Sequence, residues 1–536
     1  MTVFSADITT LLELLREPVP SANPEAALES RRQALGTLTG LRDVRVVPSI
    51  LHLLAPGDPL REPAQDAITF LLYRLTPASL AWVDWQARNY TYAYGEDAWW
   101  RIRPQDVAGI TSSASSSVTG ILASHPNGFV REAAVDALGS ASDGVEMPFL
   151  ALRANDWVPA VAGKAAEHLA RRIDPANQQA IVEGLPFLVR MLGYGRYSFA
   201  HLAEAIGRTL VSDSGVAAVL ERVETFDSGV RRFVFRFILA GITSPGDPAL
   251  VTALADTDPP VRRLAVQQLE RMDDRNVAQT LERLATRDPM PSVRREAMAI
   301  LTRSNPDRLR HLLPDLLLDR AAAVRNLTRY LVRTLHVAVV PRDLYLDSLA
   351  ATSLRRVRAA VSGIGETGNQ TDVPLLVPFL SAESPSLRRA ALTAMARLDA
   401  DAAASSAVSA LTDASLGVRN AAADVLRENR SVVDWVAVNG AWRKLPETAD
   451  RMRLLRILSA APKWDAAVYL LEHLDEPDSA VHECASRLLG GWLLRFNQTQ
   501  SQPTAAHLER IRQALDAGAA RMSENLVREL RTIARA

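Results

Sequence analysis

A Val-Arg dipeptide that returns about once every 31 residues constrains this chain more than any other feature. It stands at Val230-Arg231, Val261-Arg262, Val293-Arg294, Val324-Arg325, Val357-Arg358, Leu387-Arg388 (a conservative variant) and Val418-Arg419, in steps of 31, 32, 31, 33, 30 and 31 residues. An isolated copy lies at Val130-Arg131. Two helical patterns fill each interval. In the second of one pair, Val293, Ala297, Ile300 and Leu301 fall on one apolar stripe. The turn before it reads Thr286-Arg287-Asp288-Pro289, with a proline to stop one helix and start the next. One such pair cannot bury its apolar face alone, so neighbours must stack on a shared core. The expected fold is therefore all-α: a right-handed α-solenoid of about fifteen antiparallel helix pairs.

An aspartate precedes the arginine by six residues in four repeats: Asp256/Arg262, Asp288/Arg294, Asp319/Arg325 and Asp413/Arg419. In this the chain resembles the HEAT-repeat (armadillo-like) family, most clearly over 228–430 and more loosely over 24–75, 128–227 and 447–495. The resemblance implies that these eight residues form a hydrogen-bonded ladder between repeats and are structural. It also implies that the second helix of each pair lines a concave binding face. Those helices begin near Arg231, Arg262, Arg294 and Arg388, and each carries a second arginine: Arg232, Arg263, Arg295 and Arg389. With the first arginine taken by the ladder, the second is available for an acidic helix or a string of phosphates. The alternative is a solvated face with local pairs such as Arg295 with Glu296 or Arg263 with Glu270.

Along the chain, residues 1–110 read as N-terminal helical repeats in which Asn23-Pro24 starts a helix. They end in an aromatic-rich insertion over 76–110. It holds four of the nine tryptophans and three of the nine tyrosines. Large rings offer contact area at low entropic cost. Tyr92, Tyr94, Trp99 and Trp100 are therefore candidate partner contacts, and a plug between repeats is the other reading. The serine-rich stretch 111–127 reads as a hinge or a weak helix. The main array spans 128–496, and 497–536 follow a polar linker with a capping pair. Within the array, GYGRYSF (193–199) reads as a turn with left-handed glycines. SVVDWVAVNGAWRK (431–444) reads as an interrupted helix rather than a hairpin, despite its Asn-Gly pair.

Charge and composition narrow the function. Lys+Arg and Asp+Glu balance at 61 each, so no global field favours nucleic acid or an anionic membrane. Residues 251–360 are locally basic, with 19 Arg against 13 Asp and Glu. Lys164, Lys444 and Lys463 are the only lysines, a bias that fits a GC-rich bacterial genome. Cys484 is the only cysteine, which excludes an intramolecular disulfide and any multi-cysteine metal site. The N-terminus lacks a signal-peptide pattern and no apolar run is long enough to span a bilayer, so the expectation is a cytoplasmic protein.

Catalytic motifs are not found. Gly363-Ile364-Gly365-Glu366-Thr367-Gly368 matches G-x-G-x-x-G but follows a helix instead of a strand, and reads as a helix end. His482-Glu483 resembles one of the four His-Glu pairs with which deoxyhypusine hydroxylase, a HEAT-repeat enzyme, binds iron. A lone pair cannot build that site, and His482 reads as a substitute for the repeat arginine. No catalytic residue, metal or cofactor is expected. The leading expectation is a non-catalytic scaffold or adaptor that binds a protein partner, with an acidic segment as the chemistry that suits it. The alternatives are nucleic-acid binding, as in HEAT-like DNA glycosylases, and a chromophore lyase of the kind some bacterial HEAT proteins resemble.

Overall fold

The computed structural model describes residues 6–16, 23–89, 98–193, 196–272, 274–498, 500–518 and 522–535. Every regular element among them is a helix. Two compact units are present, residues 1–277 and 278–536.

Proline and aspartate set the helix starts. Pro259, Pro291, Pro341 and Pro385 occupy the first turns of the helices Pro259–Leu269, Pro291–Ser304, Pro341–Ser348 and Pro385–Leu398. There the missing amide hydrogen costs nothing and the fixed φ suits the helix. The Asn23 side chain caps Pro24–Gly40 by accepting from the Ala26 amide. Asp227 and Asp399 cap Ser228–Ile238 and Ala400–Ala410 in the same way.

The helices pair as the period demands. In the first unit Pro248–Ala255 packs on Pro259–Leu269. In the second unit Pro306–Leu317 packs on Ala322–Thr334, and Ala400–Ala410 on Leu416–Glu428. Second helices also stack on one another: Leu354–Thr367 contacts Pro385–Leu398, which contacts Leu416–Glu428. Val293, Ala297, Ile300 and Leu301 are all fully buried, so the apolar stripe is core.

The irregular stretches resolve by their packing. The serine-rich segment holds a helix, Ser116–Leu122, with Val118 and Ile121 fully buried and Gly120 against the Phe149 ring. Ser116 and Ser117 sit in that helix and Ser115 caps it, while Ser112 and Ser113 form an exposed bend before it. Residues 431–444 form the short helix Trp435–Gly440 followed by a 3₁₀ turn, with Asn439-Gly440 inside the helix. Gly193 ends the helix Gln178–Leu192 at φ −77°, so the left-handed geometry expected there is not used at that residue. Gly363 and Gly365 lie in the last turns of Leu354–Thr367 because neighbours press on them. A Cβ would stand 2.6 Å from the Tyr345 ring at the first and 2.5 Å from Ala394 Cβ at the second. Gly368 closes the helix.

Candidate functional site

The ladder is built from a repeated turn. In each of four turns the aspartate Oδ1 accepts from the amide two residues on: Asp256 from Asp258 (2.6 Å), Asp288 from Met290 (2.8 Å), Asp319 from Ala321 (2.7 Å) and Asp413 from Ser415 (2.7 Å). The arginine six residues later reaches back to that aspartate's backbone carbonyl, as Arg262, Arg294, Arg325 and Arg419 all do at 2.6–2.7 Å. The six-residue pair is thus joined through a carbonyl. At Asp256, Asp319 and Asp413 the carboxylate is left for the arginine of the preceding repeat, 25 residues upstream.

Those cross-repeat rungs are short and sheltered. Arg294 donates to Asp319 at 2.6 Å with both side chains buried. Arg388 makes a bidentate contact to Asp413, both bonds 2.7 Å, and holds that carboxyl below the usual range. Arg231 reaches Asp256 at 2.9 Å and Arg451 reaches Glu476 at 2.9 Å. Arg131 closes two 3.0 Å bonds on Asp156. His482 stands six residues after Glu476, in the arginine's place, and its Nδ1 lies 2.8 Å from the Leu474 carbonyl.

The second arginines do not share one fate. Arg232 makes bonds of 2.7 and 2.8 Å to Asp258 of the next repeat. The Arg232 guanidinium in return holds the Asp258 carboxyl below its usual range. The expectation that Arg232 is available is corrected, because Asp258 lies within its reach. Arg263 is exposed but engaged in a contact as well. Arg295 and Arg389 are exposed and have no partner among the described residues. Arg389 borders a groove of about 450 Å³ running between the Arg388 and Arg419 helices past Thr393, Asn420 and Glu428. It also borders an adjoining recess of about 230 Å³ that includes Arg358 and Glu366. Arg358, Arg397, Glu366 and Glu428 were not singled out as site residues from the sequence.

The aromatic region divides sharply. Trp99 is fully buried, donates its indole N–H to the Ala87 carbonyl at 3.2 Å and leans on His125 with ring centroids 4.7 Å apart. Trp99 is therefore a core residue, which corrects its place among the partner contacts. Trp100 is 40% exposed. Tyr92 and Tyr94 fall outside the described residues.

Nearby, sequence reading missed a charged cluster in the first unit. Asp156 accepts from Arg88 at 2.7 Å and Arg153 at 2.9 Å besides Arg131. Asp84 pairs with Arg153 at 2.5 Å and Arg88 at 3.2 Å. Burial raises the Asp84 carboxyl against the pull of Arg88. Trp85 and Trp157, 58% and 65% exposed, flank a cleft of about 350 Å³ above this cluster. The paired charges satisfy one another, and no group of three or more metal-ligating side chains is present among the described residues.

Residues 247–331 and 349–427 match the family model for HEAT repeats. Similar solved structures include importin beta, 13% identical over 99% of this chain and 74% of that one, with a TM-score of 0.35. Yeast importin-beta (Kap95p) is 12% identical over 99% and 67% of the two chains, at 0.30. Kap121p, solved bound to Ste12p, is 13% identical over 95% and 66%, at 0.30. Likeness at this level carries no argument about function. No curated protein matches by sequence.

Proposed function

From the HEAT repeats matched over residues 247–331 and 349–427, we propose that this α-solenoid is a scaffold or adaptor holding a protein partner against its second helices. One observation carries the reading. The ladder arginines are consumed by backbone carbonyls and carboxylates, while Arg295 and Arg389 on the same helices remain exposed without a partner among the described residues. A fold that saturates its structural cations and leaves others in solvent presents a surface for an acidic partner. Trp100, with its exposed ring, joins the proposed contacts, and Tyr92 and Tyr94 stay with it as proposals from the sequence.

No catalytic role is proposed. The charged side chains that cluster, such as Asp84 with Arg88 and Arg153, are engaged with one another. Nucleic-acid binding is the weaker reading, since affinity for DNA rests on many cationic contacts and Arg232 is committed to Asp258. The test is capture of a partner from extract of the native host, followed by reconstitution with the purified partner. The reading predicts salt-sensitive binding that Arg295→Gln with Arg389→Gln weakens at an unchanged melting temperature. Binding of arbitrary duplex DNA that outcompetes the protein partner would overturn it.

A further inference from the structure

We propose that a break in the arginine–aspartate ladder creates a polarised groove in the second unit for an extended anionic segment of a polypeptide. The inference rests on the scaffold reading and assigns one of its sites. On either side of the break the rungs are regular, Arg294 to Asp319 and Arg388 to Asp413, each spanning 25 residues. Between them two acids are missing, and Glu383, which does stand 25 residues after Arg358, is exposed and makes no bond to it. Ala350 stands 25 residues after Arg325, and Thr352 stands six before Arg358. Arg325 turns instead to Glu366, 41 residues on, with its Nε at 3.1 Å. Arg329 joins it there at 2.6 Å and Arg397 approaches to 3.5 Å.

Glu366 is thereby saturated. Burial pushes its carboxyl up, but the Arg325 and Arg329 guanidiniums outweigh this and its pKa ends below the usual range. Around that single carboxylate the recess gathers Arg320, Arg325, Arg358, Arg389 and Arg397. Arg320 is held by the Pro289 carbonyl. Arg358 keeps the ladder arginine's position but has no partner among the described residues, and Arg389 beside it has none either. Arg358 is half-buried, so its charge is less screened than a surface arginine's and a bound anion gains more. Two adjacent unpaired guanidiniums suit a carboxylate pair or a phosphate monoester.

The groove then reverses sign. Past the shared residues Arg389, Thr393 and Arg397 it runs on to Asp424 and Glu428. Asp424 pairs with Arg427, whereas Glu428 is exposed and unpaired among the described residues. A nucleic-acid backbone, anionic throughout, is repelled at that end. A polypeptide with an anionic group followed by a basic residue is complementary along the whole path. That complementarity commits the site to protein.

The experiment uses the full chain and fluorescein-labelled peptides. One carries a glutamate block followed by a lysine pair, a second has phosphoserine in place of the block, and a third replaces the lysines by glutamine. Fluorescence anisotropy is expected to show salt-sensitive binding of the first or second, and the tighter of the two identifies the anion. Arg358→Gln and Arg389→Gln should each weaken it roughly tenfold, one charge-assisted contact apiece. Arg389→Lys should restore part of the loss, and melting temperatures confirm folding. Glu428→Gln should weaken only the lysine-bearing peptides. The inference is overturned if neither anionic peptide binds, if the arginine variants bind them equally well, or if oligo-dT displaces them at equal concentration. A native partner captured equally by wild type and by the double arginine variant would sink the groove and leave the scaffold reading standing.

Discussion

Asp156 shows what a single residue does in this chain. Its carboxylate, fully buried, takes hydrogen bonds from Arg88, Arg131 and Arg153 and also accepts the Val158 amide at 3.0 Å. Asp156→Ala would strand buried guanidiniums, and the expected loss is about 3–5 kcal/mol, read by urea unfolding. A loss within error of zero would mean that solvent already satisfies the cluster. His125 is a second case. The Asn127 amide donates to its Nδ1 at 3.0 Å, and its Nε2 lies 2.8 Å from the Trp99 carbonyl, so the neutral Nε2–H form satisfies both. Burial, helped by Arg131, takes its pKa down to about 4, and burial does the same at His473. The unfolded chain protonates these rings near pH 6.5, so between about 6.5 and 4 it binds more protons than the folded one. Stability from these two sites is full above that window and is lost as pH falls through it. Histidine-selective NMR at about pH 5.5 should find His125 neutral with the proton on Nε2, and a doubly protonated ring there would refute the assignment.

At the scale of the element, the turn and the tight helix crossing are the working parts. Gly363→Ala places a methyl against the Tyr345 ring, and an expected cost of about 1–3 kcal/mol should appear in thermal unfolding. Trp99→Ala should destabilise the first unit by about 3–5 kcal/mol as a buried ring is lost. Trp100→Ala should leave the melting temperature unchanged, and equal behaviour of the two would contradict their division into core and surface. These elements also mark how far the sequence was legible. The repeat period exposed the helix pairs because one apolar stripe recurs at each Val-Arg mark. The Asp-Arg spacing pointed to the ladder, yet not to its wiring, since the carboxylate's partner lies 25 residues upstream and is found only when repeats stack. Trp99 was misplaced because local composition cannot tell a ring facing His125 from one facing water. Arg232 was misplaced because Asp258, in another turn, cannot be seen from its own helix. One legible signal went unused: Thr352, where an aspartate was due.

For the whole molecule, the proposal sorts the arginines into two classes, those that hold repeats together and those that would face a partner. No described helix is long and apolar enough to cross a membrane. The division predicts that stability and binding separate cleanly by residue. The most direct measurement pairs unfolding with partner affinity for two variants of the second unit. Arg294→Gln, which removes the buried rung to Asp319, is predicted to lower stability by about 3–5 kcal/mol while binding survives at temperatures where the fold persists. Arg358→Gln with Arg389→Gln is predicted to keep the melting temperature and lose binding by roughly a hundredfold. If the rung variant is stable but cannot bind, or the groove variant unfolds or binds as well as wild type, the two classes do not exist as drawn.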